Sequence, residues 1–242
     1  MGEGTRIVPL GECALIVKFG DGIDLVTHRR VVELTRSLEE NPFPGFQEAV
    51  PSYVSVAVYY DPVAIVKTGR LADGAQAQVR SWLTERVSLV EAAADTNGGG
   101  MAGTAVDIPV CYCSKCGPDL PFVAEHNKLS PEDVIKIHTS GSYTVYMIGF
   151  MPGFPYLGGM AERISAPRLA TPRKRVPAGS VGIAGSQTGI YPFASPGGWR
   201  LIGRTSMPLF QPELVPPSLL TAGDAIRFKE TTHSEMEDGG SL

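Results

Sequence analysis

The chain lacks most of the signals that announce a function at once. No apolar run approaches the roughly 20 residues that a membrane-spanning helix requires. The opening MGEGTRIVPLGECALIV lacks a basic region, an apolar core and a small-residue cleavage site in secretory order. A cytoplasmic chain with no membrane attachment is therefore expected. Positive charge is not in excess: the net charge is −4, which leaves no footprint for nucleic acid or an acidic lipid surface. Cysteine is scarce, and three of the four lie within six positions, unlike the spaced pairs of a secreted disulfide framework. There is no GxxxxGKS/T phosphate loop; Gly182-Ile-Ala-Gly-Ser shares only its composition. Residues 178–182 read AGSVG, and no acid and histidine follow in the order of a GxSxG hydrolase. HExxH and internal repeats are missing too. If this chain takes part in catalysis, groups borrowed from a partner protein are expected to complete the site.

What is present is an ordinary globular composition, 43% hydrophobic and 19% charged, in 242 residues, long enough for one large domain or two small ones. The run ALIVKF within 7–19 reads as a half-buried strand. Asp24 caps a helix to about Glu40, with Val31, Leu34 and Leu38 at helical spacing, and Asn41-Pro-Phe-Pro-Gly45 stops it. FQEAV and YVSVAVYY are two strands near a turn, and a second helix over 74–94 places Val79, Trp82, Leu83 and Val87 on one face. Strand, helix, two strands, helix predicts an α+β N-terminal domain over 1–94, ferredoxin-like if a last strand follows. A Gly-rich linker over 95–104 comes next. DIPVCY, YTVYMIGF, SVGIAG, IYPF, WRLIG and AIRF then read as short strands of a barrel or sandwich over 105–229. Ser130-Pro-Glu-Asp133 starts a helix that ends near His138. Residues 230–242 read as a flexible tail.

The stretch Ile148–Thr205 holds 11 of the 28 glycines and 7 of the 20 prolines, together with Phe150, Phe154, Tyr156, Tyr191, Phe193 and Trp199. Linkers have few aromatics, so this is an ordered surface of tight turns between short strands. It presents Arg168, Arg173, Gln187, Ser195 and Arg204. Arg163, Arg168, Arg173, Lys174 and Arg175 lie within thirteen residues, and a guanidinium fork suits a carboxylate or phosphate. A solvated basic loop is the plain alternative. His138, just before the Tyr143 strand, is a candidate acid or base, although a helix-end or core histidine explains it as well. Cys111-x-Cys113-x-x-Cys116, with His126 as a fourth ligand, invites a zinc reading. There is no second CxxC, so no metal is expected and partly buried thiols are preferred.

IGFMPGFPYLGG, PRLATPRKRVPAGSVGIAGSQTGIYPFASPGGWRLIGRT and the closing GDAIRF resemble the allophanate hydrolase subunit 1 family. That family also takes in the B subunit of bacterial 5-oxoprolinase, a sporulation histidine-kinase inhibitor and half of the carboxyltransferase domain of urea carboxylase. The resemblance spans nearly the whole chain, EAVPSYVSVAVYYDP included. It implies a cyclophilin-like β-barrel after the N-terminal domain. It also implies two partners, the C subunit of 5-oxoprolinase (biotin-dependent carboxyltransferase-like) and its A subunit. The assembly hydrolyses 5-oxoproline to glutamate with ATP and magnesium held by the complex. Kinase inhibition and a carboxyltransferase or allophanate hydrolase role are its alternatives. By matching motif positions, the candidate catalytic residues are His138, Arg173 and Gln187. Tyr143, Tyr156, Arg168, Ser180, Tyr191, Ser195, Trp199 and Arg204 are candidates for binding substrate or partner. Phe150, Pro152, Gly153, Pro177, Gly179, Pro192, Gly197 and Gly198 complete the motif. A small or acidic stretch usual before GPDL is here CYCSKC, from which local redox sensitivity is expected. No prolyl isomerase activity is expected, because fold does not carry function.

Overall fold

A computed structural model describes residues 4–67, 74–96 and 105–238. By internal contacts the chain divides into a unit over 1–100 and a unit over 101–242. Part of the expected Gly-rich linker (97–104) and the end of the expected tail (239–242) lie outside the described residues.

In the first unit, β1 (Arg6–Pro9) and β2 (Ala14–Lys18) form an antiparallel hairpin in which Arg6 faces Lys18 and Pro9 faces Leu15. Helix α1 (Leu25–Glu40) begins as its sequence requires: the Asp24 carboxylate accepts the Thr27 N–H at 2.8 Å. β3 (Phe46–Pro51) and β4 (Ser55–Tyr60) follow, then α2 (Pro62–Val66) and α3 (Ala75–Thr96). The sheet order is β1-β2-β4-β3, antiparallel throughout. Val31, Leu34 and Leu38 of α1 and Val79, Leu83 and Val87 of α3 are buried with Leu15, Val17, Val56 and Val58 of the sheet.

This corrects the expected ferredoxin-like α+β N-terminal domain. That arrangement takes a strand from after its second helix, whereas here the fourth strand comes from the start of the chain. The run over 7–19 is two strands, because Pro9-Leu-Gly-Glu12 turns the chain and the Leu10 N–H returns to the Ala14 carbonyl at 2.9 Å. The chain also forms a closed seven-stranded barrel.

That barrel is the second unit. It runs through β5 (Val106–Cys111), β6 (Tyr143–Ile148), β7 (Pro155–Gly158), β9 (Ser180–Ala184), β10 (Gln187–Ile190), β12 (Arg200–Arg204) and β13 (Ala225–Thr231). The strand order around the barrel is β10-β7-β6-β13-β5-β12-β9, closing on β10, so no edge is left unpaired. Among the described barrel strands, β13 and β5 alone run parallel, with Ile226 beside Val106 and Thr231 beside Cys111. Ile108, Val110, Val145, Leu157, Val181, Ile183, Ile190, Ile202 and Phe228 fill the core. β8 (Arg173–Val176) and β11 (Ser195–Gly197) form a separate two-stranded ribbon. Helices α4 (Leu120–His126) and α5 (Pro131–Ser140) sit between β5 and β6 in sequence. Ser130 and Asp133 cap α5 reciprocally, as the motif predicts.

Two further expectations change. IYPF is not a strand, since β10 ends at Ile190. The tail expected from residue 230 begins as structure: β13 continues to Thr231, and α6 (His233–Asp238) follows.

Candidate functional site

The outer wall of the barrel over β7, β10, β9 and β12 carries two facing glycines, Gly189 and Gly182, which pair across the β10–β9 ladder. Their missing side chains make room for rings. A Cβ on Gly189 would stand 3.0 Å from the Trp199 ring and 3.1 Å from that of Phe154; one on Gly182 would stand 3.0 Å from the Trp199 Cβ. Trp199 and Phe154 therefore lie against the sheet itself, centroids 5.6 Å apart and perpendicular. Tyr156, opposite Gly189 on β7, and Tyr191 complete the group at 4.8 Å and 5.2 Å from Phe154. Burial raises the pKa of both phenols against the opposing pull of Arg168, so each stays protonated at neutral pH. Gln187 shares this face by the two-residue strand period, two positions from Gly189.

Cations edge the aromatic group. The Arg168 guanidinium lies 5.9 Å from the Trp199 ring centroid. Arg173 donates to the Trp199 carbonyl at 3.4 Å and forms an ion pair with Asp119 at 2.8 Å. Asp119 sits at the start of α4 but makes no side-chain cap; its second oxygen instead accepts the Leu201 N–H of β12 at 2.7 Å. One carboxylate thus ties the β8 arginine to the barrel wall. Among the described residues, Arg168, Lys174, Arg175 and Arg204 make no ion pair.

Phe150 stands at the rim. It occupies the centre of a tight three-residue turn in which Met151 N–H donates to the Gly149 carbonyl at 2.7 Å. Its φ is +66°, a strained conformation for a residue with a side chain, and it leaves the ring 63% exposed. The ring touches Phe154 edge-on at 5.5 Å.

The expected site residues therefore divide. Tyr156, Arg168, Arg173, Gln187, Tyr191 and Trp199 lie on the same side of this wall, with Tyr191 and Trp199 buried in a cluster with Phe154, Val176 and Leu201. Ser180 and Arg204 are cross-strand neighbours on β9 and β12, and the Tyr191 N–H donates to the Ser180 carbonyl at 2.9 Å. The Ser180 hydroxyl is buried with no hydrogen-bond partner, while Arg204 donates to the Ala178 carbonyl at 2.8 Å. Ser195 lies on the β11 ribbon opposite Val176. His138 and Tyr143 lie elsewhere, inside the barrel, where His138 stacks on Phe228 at 4.3 Å.

The Thr188 hydroxyl donates to the Gly182 carbonyl at 3.0 Å, so its oxygen accepts from His138 Nε2 at 3.2 Å. Nδ1 is then the acceptor for the Tyr112 hydroxyl at 2.8 Å, and the Tyr143 hydroxyl donates to the His138 carbonyl at 2.7 Å. Burial pushes the imidazole pKa down to about 3. A neutral, fully bonded and sealed histidine is a core residue, so the surface-facing acid or base expected from its position is corrected. Asp119 and the Gly182–Gly189 pair were missed; the acid of Gly-Pro-Asp-Leu reads locally as a turn residue.

A family model described as carboxyltransferase domain, subdomain C and D, matches residues 5–220, and the chain belongs to that family. It is 46% identical over 226 residues to the 5-oxoprolinase B subunit of Bacillus subtilis (strain 168), covering 92% of this chain and 91% of that protein. It is 39% identical to the protein of the same name from Escherichia coli O157:H7, covering 93% and 96%. A solved structure of a conserved uncharacterised protein from Pyrococcus horikoshii is 42% identical, with a TM-score of 0.55 over 96% of this chain and all of the other.

Proposed function

We propose that this chain is one component of an ATP-dependent 5-oxoprolinase that opens 5-oxo-L-proline to L-glutamate, inactive alone and completed by the C and A subunits of that enzyme. The observation that carries the reading is the pairing of Arg168 and Arg173 with the Tyr156–Tyr191–Trp199 face. Near-full-length identity to chains named as the B subunit of 5-oxoprolinase supports it.

The chemistry fits the face. A lactam is a weak electrophile, and transfer of a phosphoryl group to its oxygen makes the ring carbon open to water. Positioning and charge neutralisation dominate such a transfer. Arg168 and Arg173 supply planar donors for a carboxylate or phosphate, Gln187 an amide, and the aromatic wall excludes water. These groups fit the phosphates of ATP but not its magnesium, since Asp119 is already held by Arg173 and Leu201 N–H. The metal ligands and the group that activates water therefore come from a partner. Phe150, strained and exposed against Phe154 and Tyr191, is suited to a contact with that partner.

The test is ATP-dependent glutamate release from 5-oxoproline by the A and C subunits, with this chain added or omitted. Activity that needs the chain and falls at least tenfold in Arg173→Ala and Gln187→Ala supports the proposal. Activity indifferent to the chain overturns it.

A further inference from the structure

The thiols set aside as non-ligating in the sequence converge in space. Cys111 ends β5, Cys113 and Cys116 flank a tight turn, and His233 opens α6. The three sulfurs and one imidazole nitrogen lie within 4.8 Å of one another. Cys116 Sγ and His233 Nδ1 are 3.7 Å apart. Bonds of about 2.3 Å to sulfur and about 2.0–2.1 Å to nitrogen at a tetrahedral centre put such a pair about 3.6 Å apart.

The turn is preformed: Cys116 N–H and Gly117 N–H both donate to the Cys113 carbonyl, at 2.9 and 2.8 Å. Met236 of α6 closes the apolar side against Cys111 and Cys116, and no disulfide links the thiols. His126, the fourth ligand considered from sequence, is stacked on Phe122 at 5.8 Å and stands apart from the cluster.

We propose that Cys111, Cys113, Cys116 and His233 bind one zinc ion. Three thiolates and an imidazole are a soft donor set that selects zinc over magnesium or calcium, and four protein ligands close the coordination sphere, as in a structural rather than a catalytic site. Three thiolates around a divalent ion leave one net negative charge, beside which the exposed Lys115 sits in the ligand loop. The ion pins α6 to the end of β5. It also fixes the turn that leads, three residues after Cys116, to Asp119, the anchor of Arg173. Its role is to hold the barrel's C-terminal closure and the approach to the cation-edged face.

The experiment uses the untagged full chain, purified under reducing conditions from zinc-replete cells, with metal content measured by mass spectrometry. The metal-free chain is then titrated with cobalt(II). One zinc per chain is expected, with thiolate-to-cobalt charge-transfer absorption and the d–d bands of a tetrahedral ion. Cys113→Ser and His233→Ala should each abolish or strongly shift those bands, and zinc should slow amide exchange across 233–238 in the parent chain. A reduced chain with all thiols titratable that takes up no cobalt overturns the proposal. So does a cobalt spectrum unchanged in both variants. The parent titration stands even if a variant folds poorly.

Discussion

Asp119 is the joint between the cation-bearing ribbon and the barrel, and its removal has a calculable cost. In Asp119→Ala the buried Leu201 N–H loses a charge-assisted acceptor at 2.7 Å, a loss of about 1.5–3 kcal/mol. The Arg173 pair goes too. Its side chains are 28% and 10% exposed, so it lies between a surface and a buried pair and contributes about 1 kcal/mol. The total of about 3 kcal/mol corresponds to a fall in Tm of about 6–12 °C for a chain of this size. Asp119→Asn keeps an acceptor for Leu201 and should cost only about 1 kcal/mol.

Urea unfolding followed by Trp199 fluorescence in a Trp82→Phe background reads the barrel alone, since the chain has two tryptophans. A double-mutant cycle with Arg173→Ala should return a coupling of about 1 kcal/mol. An Asp119→Ala protein within about 0.5 kcal/mol of its parent would refute the joint.

Other consequences are equally direct. His138 has its pKa lowered from 6.5 to about 3 by burial, so the unfolded chain binds the extra proton between those values. Its contribution is whole above pH 6.5 and is lost on acidification toward 3, at up to about 1.4 kcal/mol per pH unit. Urea midpoints at pH 7.5 and 5 should show this loss, and His138→Gln should flatten it. Ser180→Ala removes a buried hydroxyl that has no partner, so the isolated chain should be unchanged or more stable by up to about 1 kcal/mol. Denaturation that instead shows a loss of more than about 1 kcal/mol would mean that the hydroxyl is satisfied in solution. Gly189→Ala places a methyl group 2.9 Å from the Pro155 carbonyl and 3.0 Å from the Trp199 ring. It should move the Trp199 emission and cost about 1–3 kcal/mol; an unmoved spectrum would mean that Trp199 does not rest on this glycine.

How far the sequence carries depends on how local each determinant is. Helices α1 and α5 were readable because Asp24, Ser130, Pro131 and Asp133 act within one turn of the backbone they cap. The 3- and 4-residue strands β11, β7 and β8 were not, because Gly and Pro occupy them or flank them and only their partners across the ladder make them strands. The same division runs through the site. Arg168, Arg173, Tyr156, Tyr191 and Trp199 announce themselves by residue type in a Gly/Pro-rich stretch. What joins them does not: Asp119 lies 54 positions from the arginine it holds, and His233 lies 117 from the cysteine it faces. His138 shows the converse, since a residue type that suggests surface chemistry is neutralised by a core that only the closed barrel creates. Glycine carries the least readable information of all. Gly182 and Gly189 look like two more flexible positions in a glycine-rich run. Because the β9–β10 register sets them side by side, they are instead the flat floor on which the tryptophan lies.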